Sequence, residues 1–262
     1  MVRYIDTSSG DPDDGLGAWL AANLVLGSEA FLIQSAWFSY GSLEPFASSI
    51  ADLVSRDAEV QFVIGANQGS LTKVDLERLW TLISPGSGSR LVVVRYRNAI
   101  FHPKVFYLER EDGTKSAVVG SANLTTGGTQ WNVEAGIILD TSEGDGEEAL
   151  NSIRATISGW FDLDEDGVFE VKDSETIQTL ADDGIIDVAQ SKKIIEPWGS
   201  YLGGVCSRRR GDFGDETDRH VKPPRFLMCT AKQSLTGVDV ESPGNLMECP
   251  ALMHGPFDVS IL

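Results

Sequence analysis

The sequence predicts an α/β fold, a sandwich in which a mixed, largely parallel central sheet is flanked by helices, with an irregular C-terminal extension. Three observations predict it. Between residues 31 and 96, apolar strand-like runs alternate with segments of helical period, the pattern of βαβ units. Further on, Asp112-Gly113 lies between the β-prone runs 105–108 and 116–119, a turn dipeptide that makes a hairpin. From about residue 196, apolar periodicity fades while Gly, Pro and charged residues rise. The division that follows is 1–195 for the sandwich and 196–262 for an extension or small appended subdomain with no assigned role.

Taken in order, residues 1–12 are polar and form an arm or a short edge strand. Asp13 or Asp14 can cap a helix running to about residue 26, with Leu16, Trp19, Leu20 and Leu24 on its apolar face. Residues 31–38, FLIQSAWF, read as a buried strand, and a helix over about 42–55 repeats Leu43, Phe46, Ile50 and Leu53 at helical spacing. The strand 60–64 ends in the loop 65–70. Thr72 or Lys73 then opens a helix with Leu76, Leu79, Trp80 and Ile83 inward, before a third strand at 91–96. Past the hairpin, Glu134 opens a strand over 133–139, and helices follow over about 147–161 and 176–189. Between them, 162–167 is an acidic turn without the spacing of a calcium loop.

Composition narrows the function. With 21 Lys and Arg against 39 Asp and Glu, the formal charge is −18, which argues against a surface that coats nucleic acid indiscriminately. The first fourteen residues are polar and carry four Asp, unlike a signal peptide, and no apolar run approaches the roughly twenty residues of a membrane span. No amphipathic basic helix offers itself to a membrane, and the expected compartment is the cytoplasm. Cys206, Cys229 and Cys249 show no CxxC spacing; with His254 they read as buried thiols rather than a zinc site, so neither metal nor cofactor is expected.

The stretch 101–139 collects chemistry. Strand alternation places His102 and Lys104 on one face, Ser121 and Asn123 lie just past the returning strand, and Glu134 opens the next one. A His, a Lys, a Ser, an Asn and a Glu brought to strand ends of one sheet are parts of a site. They suit attack on a phosphodiester: an imidazole as nucleophile, with Lys, Asn and Ser donating to the charge that builds on the phosphoryl oxygens. No further carboxylates lie nearby in sequence to build a two-metal clamp, which favours a metal-independent route. Upstream, Arg90, Arg95 and Arg97 interrupt the acidic trend, and Arg95 and Arg97 share a strand face as candidate phosphate contacts. The loop 65–70 and the tip 39–41 are expected beside His102, at the carboxyl ends of strands.

His102-Pro-Lys104, Gly120-Ser121-Ala-Asn123 and Asn132-Val-Glu134 resemble the HxK…GSxN…NxE signature of the phospholipase D superfamily, three parts in order over residues 101–139. The resemblance implies a phospholipase D-like α/β sandwich. It makes His102 the covalent nucleophile, Lys104 and Asn123 phosphate ligands, Ser121 an additional donor and Glu134 the group that orients His102, with Gly120 and Asn132 as binding positions. One departure is Glu109, where the family pattern has Asp; that acid is chiefly structural in the family.

A phosphohistidine route needs a second group to protonate the leaving oxygen, which the family supplies from a second HxK motif. His220-Val-Lys222, with Asn245 downstream, has no GSxN after it and is followed by two prolines, so it reads as coincidence. A twofold homodimer in which two copies of His102 meet solves the problem without a second motif. The expectation is a metal-independent phosphodiesterase, a nuclease acting on nucleic acid, DNA first, with a partner protein as a possible source of specificity. The alternatives are a phospholipase or phosphatidyl-transfer enzyme and a non-catalytic binding module.

Overall fold

A computed structural model describes residues 2–11, 13–24, 27–67 and 70–188. The expectations that fall on 189–262 lie outside the described residues. These are the domain boundary and extension, the run Arg208–Arg209–Arg210, the three cysteines, and His220-Val-Lys222. So does the end of the helix expected over 176–189.

The described residues form an eight-stranded sheet with helices on both faces. In chain order the elements are β1 (Arg3–Asp6), α1 (Leu16–Asn23), β2 (Ser28–Ser35), α2 (Ala47–Ser55), β3 (Glu59–Gly65), α3 (Lys73–Ile83) and β4 (Ser89–Val94). They continue with β5 (Lys104–Arg110), β6 (Lys115–Gly120), α4 (Thr126–Gln130), β7 (Ala135–Asp140), α5 (Glu147–Gly159), β8 (Val168–Val171) and α6 (Ser174–Asp182). The strand order is β1-β7-β6-β5-β2-β3-β4-β8.

The α/β class is the one expected, but the balance of pairings is not. Only β2/β3 and β3/β4 are parallel; the other five pairings among the described residues are antiparallel. The βαβ reading holds for the two crossovers through α2 and α3. The chain then crosses to the far side of β2 and runs β5-β6-β7 as a meander, whose hairpin turn at Gly113 takes the left-handed φ of 79° that glycine tolerates.

Strand alternation divides the core in two. Phe31, Ile33, Phe62, Val93, Phe106 and Val118 face α1, α2, α3 and α6, while Leu32, Val63, Val92, Tyr107 and Ala117 face α5. Strand β2 is buried on both faces, which is why FLI reads as a continuous apolar run. On the α5 side, Arg154 forms ion pairs with Glu59 of β3 and Glu109 of β5, clamping the helix across the sheet. Glu109, the departure from the motif, is therefore structural. It also accepts from the Tyr107 hydroxyl at 3.2 Å, and burial and the Glu109 charge push that phenol's pKa well up.

Several boundaries differ from expectation for local reasons. Helix α1 starts after Gly15, which has a φ of 116° and no side chain to cap with, so neither Asp13 nor Asp14 caps it. The helix expected from 42 breaks into 3-10 turns at Tyr40–Ser42 and Glu44–Phe46, the second holding Pro45, before α2 begins. Thr72 does cap α3, accepting from the Asp75 amide, and Asp173 caps α6. Strand β8 and the short α4 were not expected.

Candidate active site

Topology explains why the motif converges. In an antiparallel meander, the start of β5, the end of β6 and the start of β7 lie at one sheet edge, as do the ends of β1 and β2. His102 enters β5 there, Ser121 leaves β6, and Glu134 enters β7. Backbone ties fix each entry: the Ala36 amide donates to the Pro103 carbonyl at 2.9 Å, and the Ser121 amide to the Ala135 carbonyl at 2.9 Å. Thr7, just past β1, donates its hydroxyl to the Asn132 carbonyl at 2.9 Å and accepts from the Glu134 amide at 2.7 Å.

His102 is exposed and Lys104 is buried, with 8% of its surface accessible. The Lys104 Nζ lies 3.1 Å from each ring nitrogen of His102 and donates to the His102 carbonyl at 3.2 Å. Burial pushes the ammonium pKa down, and the Glu134 charge pulls against it. The Glu134 carboxylate accepts from the Ser121 hydroxyl on one oxygen and from Asn132 Nδ2 at 3.0 Å on the other. No hydrogen bond joins Glu134 to His102 among the described residues, so within one chain the carboxylate does not hold the ring as the sequence reading assigned. Asn123 accepts from the Trp37 amide on Oδ1 at 3.3 Å, which ties it to the segment after the end of β2.

The remaining expected residues divide. Gly120 has a packing reason for its missing side chain: a Cβ there would come within 2.6 Å of the Ala135 carbonyl oxygen. Asn132 serves Glu134. Strand β4 ends before Arg95, whose guanidinium donates to the Ala66 and Ile185 carbonyls at 2.9 and 3.1 Å, so it ties loops together. Arg90 pairs with Glu170 across β4 and β8 at 2.9 Å, away from steering work. Arg97 is exposed in a cleft that it lines together with Trp37, Asn67, Asp164, Glu165 and Asp183.

Besides Thr7, two side chains escaped the sequence reading. Buried Asn67, in the loop expected beside His102, donates to the Ala36 and Phe101 carbonyls at 3.0 and 2.8 Å and accepts from the Phe101 amide at 3.2 Å. Trp37 meets the His102 ring edge-on, with centroids 4.9 Å apart and planes at 86°. An Asn closing a βα loop and a Trp ending an apolar run are ordinary features, and only the cross-strand register turns them toward His102.

Among family models, residues 26–152 match that described as "Cardiolipin synthase, PLD-like domain". Among solved structures, the chain is similar to Nuc of Salmonella typhimurium, a phospholipase D family member, at 14% identity and a TM-score of 0.47, over 66% of this chain and 99% of that one. NucT from Helicobacter pylori is similar at 14% identity and a TM-score of 0.43, over 62% and 96% of the two chains. Phosphatidylserine synthase of Haemophilus influenzae Rd KW20 is similar at 12% identity and a TM-score of 0.47, over 70% of this chain and 44% of that one. No match was found among curated proteins. Likenesses this remote name no substrate. The family match over residues 26–152, with the three parts of the motif gathered at one sheet edge, supports membership of the phospholipase D superfamily.

Proposed function

We propose that this protein is a nuclease: a phosphodiesterase that cleaves nucleic acid, DNA first, without a metal, through a covalent phosphohistidine at a site shared by two copies of the chain. The observation that carries the reading is the gathering of His102, Lys104, Ser121, Asn123 and Glu134 at one edge, with the imidazole exposed and set against a buried ammonium. Metal independence rests on the donor set, which offers an imidazole, an ammonium, an amide, a hydroxyl and one carboxylate.

In this reading an unprotonated ring nitrogen of His102 attacks phosphorus. The P–N bond forms as the P–O bond to the leaving group breaks, and the departing oxygen takes a proton from a second imidazolium. Lys104 and the Asn123 amide donate to the non-bridging oxygens as charge grows there. Water then attacks the phosphohistidine and gives its proton to the second imidazole, and the P–N bond breaks to restore His102. His102 is the only histidine among the described residues, so the second imidazole is assigned to His102 of a second copy across a twofold axis.

The test is to incubate the protein briefly with phosphorus-labelled DNA and quench in alkaline denaturant, where a P–N bond survives. Label is expected on the wild-type chain and not on His102→Ala. Cleavage that persists in His102→Ala would refute the reading. Hydrolysis of a phospholipid with nucleic acid inert would transfer the same chemistry to a lipid substrate.

A further inference from the structure

Imidazole attack on phosphorus depends on ring orientation, because the attacking lone pair lies in the ring plane. Within one chain, the groups that would hold the His102 ring are few. Glu134 is engaged by Ser121 and Asn132. Lys104 touches both ring nitrogens, but its protons are the ones a phosphoryl group would draw away. Among the described residues, the Trp37 indole also packs against the ring, edge-to-face.

The placement of Trp37 is fixed by backbone. Strands β2 and β5 pair Ser35 with Lys104, and two steps further the same register sets Trp37 opposite His102. The Ala36 amide bonds to Pro103, which carries the ladder through that step. The Trp37 amide donates to Asn123, and its carbonyl accepts from the Ser35 hydroxyl at 2.7 Å. Ser35 in turn accepts from the Leu124 amide at 2.8 Å, and Asn67 clamps the carbonyls of Ala36 and Phe101, just before Trp37 and His102. The indole is half-buried and lies within 5.3 Å of the Lys104 ammonium. An aromatic pair across two strands, pinned on both sides, is a rigid mount.

We infer that Trp37 is the positioning residue for His102, holding the imidazole in its attacking orientation while Lys104 serves the substrate. This rests on the proposed function for its catalytic meaning, and its geometric content is tested separately. Trp37→Phe keeps an aromatic ring at the position; Trp37→Leu keeps apolar bulk without a ring. The His102 ring-proton resonances, assigned by their loss in His102→Ala, report the indole ring current by NMR. Cleavage kinetics on DNA report the consequence.

Trp37→Leu is expected to move the His102 resonances toward free-imidazole positions and to lower kcat about 10–100-fold with KM within about twofold. Trp37→Phe is expected to retain a displaced resonance and most of kcat. Resonances and kcat unchanged in Trp37→Leu would overturn the inference, as would a change confined to KM, which would make Trp37 a substrate contact. If wild type cleaves no nucleic acid, the function proposed above fails, and the resonances alone still decide whether the indole holds the ring.

Discussion

Lys104 shows how this site is tuned at the scale of single residues. Its ammonium is buried beside an exposed imidazole, burial depresses its pKa, and Glu134 is the charge that opposes the depression. Glu134→Gln removes that opposition, so the Lys104 pKa falls further. The alkaline limb of kcat carried by protonated Lys104 then moves to lower pH; a limb that stays or moves up contradicts the assignment. The stability linkage has a definite sign. Folded Lys104 releases its proton below the ordinary 10.5, so in the window beneath that value the unfolded chain binds more protons and stability rises with pH. The placement of His102, Lys104, Ser121, Asn123 and Glu134 at one sheet edge was legible because side-chain type and strand alternation can be read along the chain. Trp37, Asn67 and Thr7 were not: each acts through a partner brought close by sheet register, and register is not written in local sequence.

At the scale of elements, strong periodicity or turn chemistry was readable and short or context-bound structure was not. The β5–β6 hairpin turns at Asp112-Gly113, and α3 starts at its Thr72 cap, because those signals are complete within a few residues. Strand β8 is four residues long, and its antiparallel seat against β4 depends on a partner more than seventy residues upstream. The largely parallel expectation overextended two true crossovers to a sheet whose other half is a meander. Helix α5 depends on a comparable long-range device, Arg154 between Glu59 and Glu109. Arg154→Met keeps the stem and leaves two partly buried carboxylates facing each other. Because the guanidinium is 38% exposed, the cost is screened, and a loss on the order of 1–2 kcal/mol is expected from urea midpoints. An unchanged midpoint would show that the pairs only decorate the surface.

The whole molecule poses a charge problem and a stoichiometry problem. A formal charge of −18 repels a polyanion at long range, so the proposed nucleic-acid substrate would have to be held by the local field of Lys104 and Arg97, with binding expected to weaken as salt rises. The proposed reaction needs two imidazoles and the described residues hold one histidine, so the proposal requires a twofold dimer to supply the second. Equilibrium sedimentation at assay concentrations should find a dimer, with activity per chain falling on dilution as it dissociates. An active monomer would contradict the shared site and return attention to His220. The most direct measurement is cleavage of labelled single- and double-stranded DNA and RNA in EDTA, with wild type beside His102→Ala. Cleavage that survives chelation and is lost in the variant is the predicted result. Cleavage abolished by chelation, or retained by His102→Ala, would contradict a metal-independent nuclease built on His102.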